Sequence, residues 1–134
     1  MAITIDATVG GASANSYLTL TAAKLTGQTK GGSVTQATNK TTGVTLNSES
    51  GVITMNNAAL GAAAEATFEV TNDKVAAADI PFVAIASGGT AGSYILGVSA
   101  VAAGSFKITV TNVSAGSLSE AVVINFGLFK GSAS

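Results

Sequence analysis

The stretch that decides the fold is Glu120-Ala-Val-Val-Ile-Asn-Phe-Gly-Leu-Phe-Lys130. Side chains alternate between the two faces of a β-strand, so this stretch has one wholly apolar face and a second that is largely apolar. The first face carries Val122, Ile124, Phe126 and Leu128, and the second carries Ala121, Val123, Asn125, Gly127 and Phe129. A strand that is hydrophobic on both sides usually lies inside a sheet with something packed on each face. We therefore predict that this is the central strand of an all-β domain.

Short alternating segments continue from Ser33 onward at intervals of roughly 10 to 14 residues, which is typical of sandwiches and barrels. They predict a single β-sandwich of about eight strands, of jelly-roll or Greek-key type, with an immunoglobulin-like arrangement of four plus four strands as the alternative. Pro81, the only proline, is expected at the start of a strand or on an edge because it cannot donate to a ladder. The predicted core consists of apolar side chains at inward positions: Val44, Leu46, Ile53, Phe68, Val70, Phe82, Ala84, Leu96, Val98, Phe106, Ile108, Val110, Val122, Ile124, Phe126 and Leu128.

Residues 1–32 differ from the rest of the chain. Two short apolar alternations, at residues 2–6 and 16–20, are followed by a glycine-rich stretch at 27–32 that is typical of a linker. An arm that docks on a neighbouring molecule would have this composition, and so would an edge hairpin. We predict an N-terminal arm and linker over residues 1–32 and a β-sandwich domain over residues 33–134.

The composition argues against several classes of function. The 134 residues include no cysteine and no histidine, so thiolate metal sites, disulfides and the commonest general base are unavailable. The six basic residues are scattered lysines, without the basic stripe of a nucleic-acid-binding protein. The seven acidic residues are also spread along the chain. We expect a protein that is not an enzyme and that has no catalytic residues, metal site, cofactor or nucleic-acid partner.

The distribution of charge and hydropathy indicates where the protein works. No stretch approaches the roughly 20 apolar residues of a membrane span, and the N-terminus has no basic region of a signal peptide, so we expect no membrane association and synthesis in a cytoplasm. Only 10% of the residues are charged, and the formal net charge is −1. Such a surface is typical of one that is buried against copies of itself or a larger partner, although a free protein rich in small residues has the same composition.

Three local motifs have ordinary structural interpretations. Residues 87–92 have the glycine density of a phosphate-binding loop, but Tyr94 opens another strand rather than a helix, which favours a hairpin loop. Glu65 and Glu69 share one strand face, as a paired-carboxylate site requires, but a solvated sheet face explains them as well. Asn39-Lys-Thr41 and Asn112-Val-Ser114 match the glycosylation sequon and are interpreted as chance loop sequences.

Several segments between Ser33 and Lys130 resemble small structural proteins of tailed bacteriophages. They are SVTQATNKTTGVTLN at 33–47, GVITM at 51–55, AVAAGSFKITVTN at 100–112 and GSLSEAVVINF at 116–126. The proteins they resemble are capsid decoration (cement) proteins or β-domains of fibres. The resemblance implies a virion component on the capsid surface that binds the major capsid protein. It also implies a homo-oligomer, and a trimer would suit the three-fold positions of an icosahedral shell.

The segment from Gly10 to Leu20 separately resembles the first residues of phage head–tail adaptor proteins, which continue into a charged helical bundle that this sequence lacks. We therefore interpret it as part of a docking arm. The side chains expected to contact the capsid are Ile3, Ile5, Tyr17, Leu18 and Leu20. The alternative is a fibre, collar or head–tail connector component that binds a host glycan through Tyr94, beside the glycine-rich loop.

Overall fold

The computed structural model of the protein describes residues 31–132. The chain divides into two units, Met1–Lys30 and Gly31–Ser134. The first unit, which contains nearly all of the predicted N-terminal arm, lies outside the described residues. The second unit contains the predicted β-sandwich domain.

Eight strands and no helix make up the regular structure of residues 31–132. The strands are β1 (Gly32–Thr35), β2 (Val44–Thr45), β3 (Ser50–Thr54), β4 (Glu65–Thr71), β5 (Ile80–Ser87), β6 (Tyr94–Ala102), β7 (Ser105–Asn112) and β8 (Val123–Phe129). They form two four-stranded sheets, which confirms the prediction of an all-β sandwich with about eight strands.

Sheet A has the strand order β1-β3-β8-β5, and sheet B has the order β2-β4-β7-β6. Strand β8 pairs antiparallel with β3 on one side and with β5 on the other, so its predicted central position is confirmed. Two pairings were not predicted: β1 runs parallel to β3, and β2 runs parallel to β4.

The core lies between the two sheets and follows the period-two alternation of the long strands. In β4, Ala66, Phe68 and Val70 are buried, and they lie opposite buried residues of β7. In β8, Val123 is only partly buried, whereas Ile124 and Phe126 face the core. The rings of Phe106 and Phe126 meet across the sheets with their centroids 5.5 Å apart. Burial of these side chains is the main favourable contribution to folding.

The predicted orientation of β5 is wrong. Phe82 and Ala84, which were expected in the core, are exposed on the outer face of sheet A, whereas Pro81 and Val83 point inward. The pattern Ile-Pro-Phe-Val-Ala-Ile is apolar on both faces, so alternation alone cannot select the buried one. The register with β8, which sets Val83 opposite Phe126, decides it. Pro81 is the second residue of this edge strand, as predicted.

The connection from β5 to β6 crosses from sheet A to sheet B, so residues 88–93 are not the hairpin loop that was predicted. Gly88 begins this connection with a φ of 77°, in the left-handed region that side chains other than glycine seldom adopt. Its backbone also passes so close to Ala121 that a Cβ placed on Gly88 would overlap the Ala121 carbonyl oxygen. This position therefore requires glycine for two separate reasons.

Asn112, at the end of β7, is completely buried and holds two loops in place. Its Nδ2 donates to the carbonyl oxygens of Leu60 (2.8 Å), Gly61 (3.0 Å) and Gly116 (2.8 Å). Its Oδ1 accepts hydrogen bonds from the backbone N–H of Ser114 (2.9 Å) and from the Ser114 hydroxyl (2.7 Å). Asn112 thus connects the two loops through hydrogen bonds. Because its side chain is buried, the sequon Asn112-Val-Ser114 is inaccessible in the folded chain.

Candidate interaction surfaces

The outer face of sheet A is defined by the register of its four strands. Ser33 of β1, Val52 of β3, Asn125 of β8 and Ala84 of β5 lie side by side across the sheet. Alternation along each strand then fixes the other members of the face. We call this surface the sheet A face: Ser33, Thr35, Ser50, Val52, Thr54, Ile80, Phe82, Ala84, Val123, Asn125, Gly127 and Phe129. None of these side chains is charged.

Three large apolar side chains stand out from one corner of the sheet A face. Ile80 is 58% exposed, Phe82 is 55% exposed and Phe129 is 63% exposed. The rings of Phe82 and Phe129 touch edge to face, with centroids 4.7 Å apart and an interplanar angle of 60°. Gly127 lies directly opposite Phe82, and the space above Gly127 is open. A cluster of this kind on a soluble domain marks a docking surface more often than an isolated exposed leucine does.

The outer covering expected for β8 is not present among the described residues. One face of the strand is buried as predicted, but Asn125 and Phe129 on the other face are exposed. Any covering of this second face would have to come from outside residues 31–132. Sequence reasoning missed this surface, because it placed Phe82 in the core.

The outer face of sheet B is polar and hydroxyl-rich. The Thr67 and Thr109 hydroxyls are 2.8 Å apart across β4 and β7, and the Thr109 hydroxyl also donates to Ser99 of β6 at 3.0 Å. Glu65 and Glu69 flank Thr67 on this face and are both exposed. The two glutamates thus lie on a solvated sheet face.

A shallow hollow of about 290 Å³ opens on the same side of the molecule. It is lined by Thr41, Gly43, Thr67, Phe68, Glu69 and Lys107. Lys107 lies directly opposite Glu69 in the β4–β7 register, so the two charges face the same hollow and partly balance each other. The hollow is polar and open, unlike the enclosed apolar pocket that small ligands usually occupy.

A polar cluster closes one end of the sandwich around Lys40, which is only 3% exposed. Its Nζ donates to the carbonyl oxygens of Asn56 (2.7 Å) and Glu120 (2.5 Å), so it joins the β1–β2 loop to the segment before β8. Burial lowers the pKa of Lys40, and the negative charge of Glu120 opposes that shift. Because the Lys40 amine donates to two backbone carbonyls, it stabilises the loops and is not available as a nucleophile.

The Glu120 carboxylate in this cluster accepts hydrogen bonds from Thr90. The Thr90 hydroxyl donates at 2.7 Å and its backbone N–H donates at 3.1 Å. These hydrogen bonds are the main reason that the pKa of Glu120 lies below its usual value. The interaction fixes the β5–β6 connection against the segment that leads into β8, so the cluster stabilises the end of the sandwich.

Tyr94, the residue considered for glycan contact, is buried rather than exposed. Only 8% of the residue is accessible, and its ring packs beside Gly89 and Val122. Stacking on a sugar needs an exposed aromatic face, which Tyr94 does not offer in this structure. Its hydroxyl is buried and has no hydrogen-bond partner among the described residues. Burial raises the pKa of Tyr94 to about 12. The nearby Glu120 carboxylate adds to the shift because it attracts the hydroxyl proton and repels the phenolate, although the two groups do not meet the geometry of a hydrogen bond.

Tyr94 should make the protein less stable at high pH. Above pH 10 Tyr94 ionises in the unfolded chain but keeps its proton in the folded chain until about pH 12, so the stabilising contribution present below pH 10 is lost across this window. Relative to Tyr94→Phe, the wild-type free energy of unfolding should fall by roughly 2 kcal/mol at pH 12. Urea unfolding of both proteins from pH 7 to pH 12 measures this difference.

The comparison of the two proteins isolates Tyr94, because Lys40 titrates in both. The lowered pKa of Lys40 raises stability with pH and so acts in the opposite direction. At pH 7, Tyr94→Phe should be as stable as the wild type or slightly more so, since it removes a buried hydroxyl without a partner. Parallel stability curves for the two proteins up to pH 12 would contradict this assignment.

The five side chains expected to contact a capsid, Ile3, Ile5, Tyr17, Leu18 and Leu20, lie outside the described residues. Within residues 31–132, no group of three or more acidic, histidine or cysteine side chains is arranged to hold a metal ion. The same residues contain no helix long and apolar enough to cross a membrane.

No family model, curated protein or solved structure matches this chain. The surfaces of the sandwich are therefore the structural observations that bear on function.

Proposed function

We propose that this protein is a non-enzymatic virion structural protein that binds the outer surface of a phage capsid as a decoration (cement) protein and stabilises the shell. The observation that carries the proposal is the sheet A face, which has no charged side chain and exposes Ile80, Phe82 and Phe129 at one corner. An uncharged face with an exposed apolar corner is suited to association with another protein surface. A cement protein needs such contacts and needs no chemistry.

The internal construction of the sandwich supports a structural role. Buried polar side chains hold the loops at one end of the sandwich: Lys40 and Asn112 each bind two or more backbone carbonyls. At the end of β8, the buried carboxylate of Asp79 accepts hydrogen bonds from the Lys130 ammonium (2.5 Å) and the Gly131 N–H (3.0 Å). Loops fixed in this way keep the outer surfaces in one shape, as a protein that bridges neighbouring subunits requires.

The proposed partner is the major capsid protein, and the proposed location is the capsid surface of the virion, after synthesis in the host cytoplasm. Self-association is part of the same proposal, with a trimer as the expected homo-oligomer. Repeated symmetric attachment converts modest individual contacts into strong overall binding. Bridging of adjacent capsid subunits would then stiffen the shell against the pressure of the packaged genome.

The direct experiment mixes the purified protein with DNA-filled capsids that lack it, pellets the capsids and images them by electron cryo-microscopy. Ordered density over the capsid faces at a regular copy number would support decoration. Density at a single vertex or on the tail would instead assign the protein to a collar, a fibre or the head–tail connector. Absence of the protein from the pellet would contradict the proposal.

Removal of residues 1–25 should abolish capsid binding while leaving the β-sandwich folded. The predicted contacts at Ile3, Ile5, Tyr17, Leu18 and Leu20 would be lost, and multivalent attachment amplifies each loss, so the affinity should fall by at least about tenfold. Pelleting with capsids measures binding, and circular dichroism with thermal unfolding confirms the fold.

A double variant, Leu18→Asp with Leu20→Asp, tests the same contacts without shortening the chain. Ile95→Asp with Val113→Asp is the matched control, since it introduces the same two negative charges at exposed positions outside the arm. Undiminished binding of both the truncated protein and the double variant would rule out the arm as the capsid contact.

A further inference from the structure

We propose that the sheet A face is the surface through which this chain binds a second copy of itself. The inference extends the proposed function by naming the contact surface. Only the biological purpose of self-association rests on that function. Its structural basis is independent and consists of the exposure, the charge and the edge geometry of sheet A.

Apolar surface is concentrated at one corner of the sheet A face. Ile80, Phe82 and Phe129 are each more than half exposed, and they are neighbours through the β5–β8 register. The two rings touch edge to face and both side chains remain more than half exposed, so aromatic surface is available to a partner. Large aromatic side chains grouped in this way are typical of the centre of a protein–protein interface.

The absence of charge on the sheet A face allows it to bind a second copy of itself without repulsion. In a two-fold interface the same surface of both copies meets, so a charge on the face would lie close to the same charge of the second copy. The sheet A face carries no charged side chain, and Ser33, Thr35, Thr54 and Asn125 supply polar groups. With a net charge of −1 for the whole chain, two copies also repel each other little at long range.

The edge of β5 is unsuitable for strand-to-strand pairing. Pro81 lacks the N–H that an added strand would need, and the register shifts between Ile85 and Ser87 through a bulge. Both features are known to block edge-to-edge association. A second copy would therefore pack on the face of sheet A and not extend the sheet, in contrast to an assembly built by adding strands.

The size of the face predicts a modest affinity. Four strands at about 4.8 Å and six residues at about 3.3 Å cover roughly 400 Å², whereas a standard interface takes about 800 Å² from each partner. Copies should therefore exchange in solution at micromolar concentrations. On a shell that holds neighbouring copies close together, the same contact would become persistent because the effective concentration is much higher.

The test is sedimentation velocity of the full-length protein from about 1 to 200 µM, a range that brackets the affinity expected for a small interface. The wild-type protein should shift from monomer to a larger species as its concentration rises. Phe82→Glu and Phe129→Glu should each weaken this association by about tenfold or more, since each places an unpaired charge in the contact. The mass of the larger species gives the number of copies. A dimer supports the contact between two sheet A faces, whereas a trimer, as the resemblance implies, joins two different surfaces and would contradict it.

Ile95→Glu is the matched control, because Ile95 is 60% exposed on the outer face of sheet B. It should associate as the wild type does. Thermal unfolding of all three variants excludes misfolding, and an equimolar mixture of Phe129→Glu and Phe129→Lys should recover association. A protein that stays monomeric at 200 µM, or equal loss in Ile95→Glu, would overturn the inference.

The two proposals fail in different ways. If the wild type self-associates through the sheet A face but does not pellet with capsids, the decoration role is wrong and the inference stands. If it pellets with capsids but remains monomeric in solution, and Phe82→Glu decorates them normally, the inference is wrong and the decoration role stands. Protection of Phe82 and Phe129 from solvent in a strict monomer would assign the face to another segment of the same chain.

Discussion

Asn112→Ala should lower the free energy of unfolding by about 3 to 4 kcal/mol. The substitution removes every hydrogen bond of a side chain that is completely buried. The carbonyl oxygens of Leu60, Gly61 and Gly116 lose the Asn112 amide but each keeps a second donor. The expected loss therefore comes from several missing hydrogen bonds, which contribute about 0.5 to 1.5 kcal/mol each. Urea unfolding followed by circular dichroism at pH 7 measures the loss.

Asn125→Ala is the control for Asn112→Ala. Asn125 is exposed on the sheet A face, so its replacement should change stability by less than about 0.5 kcal/mol. Asn112→Asp separates hydrogen bonding from side-chain size, because a carboxylate of the same shape can accept from Ser114 but cannot donate to the three carbonyls. If Asn112→Ala lowered the free energy of unfolding by no more than Asn125→Ala does, the hydrogen bonds of Asn112 would contribute little to stability.

Gly88→Ala should also be strongly destabilising, by about 3 kcal/mol or more. Alanine at a φ of 77° is itself unfavourable by about 1 to 2 kcal/mol. In addition, the new Cβ would overlap the carbonyl oxygen of Ala121, so the chain before β8 must move. That movement would disturb the Thr90–Glu120 hydrogen bonds, which join the same two segments.

Gly92→Ala isolates the backbone contribution from the steric one. Gly92 has the same φ of 77°, but nothing lies within 4 Å of a Cβ placed on it. Gly92→Ala should therefore lower the free energy of unfolding by only the roughly 1 to 2 kcal/mol that the left-handed conformation costs. Thermal and urea unfolding of both variants gives the comparison, and equal losses would mean that the close approach to Ala121 is relieved at no cost.

The parts of the fold that were predictable from sequence are those where one strand face is polar. In β4, Thr67 and Glu69 mark the outer face, so the inward positions of Phe68 and Val70 follow directly. In β5 both faces are apolar, and only the pairing with β8 determines which one is buried. Such pairing is a long-range property, because β5 and β8 are separated by two whole strands, and local alternation does not contain it.

The candidate surface was missed for the same reason. Phe129 lies on the second face of the central strand, which the sequence suggested was covered, and Phe82 was assigned to the core. Their contact depends on the register that sets Ile80 opposite Phe129. The burial of Lys40 could not be predicted from sequence either, since a lysine in a polar loop is normally solvated. Its two carbonyl acceptors come from segments 16 and 80 residues away along the chain.

The central place of β8 in sheet A has a consequence for biosynthesis. In a chain made from its amino end, β8 leaves the ribosome after the seven other described strands. All four strands of sheet B are then already available, but β5 has no partner in sheet A until β8 arrives. During that interval Ile80 and Phe82 belong to an unpaired apolar strand, which is the kind of segment that misassembles between nascent chains. Pro81 and the bulge near Ile85 limit that hazard, so they protect the growing chain as well as the finished one.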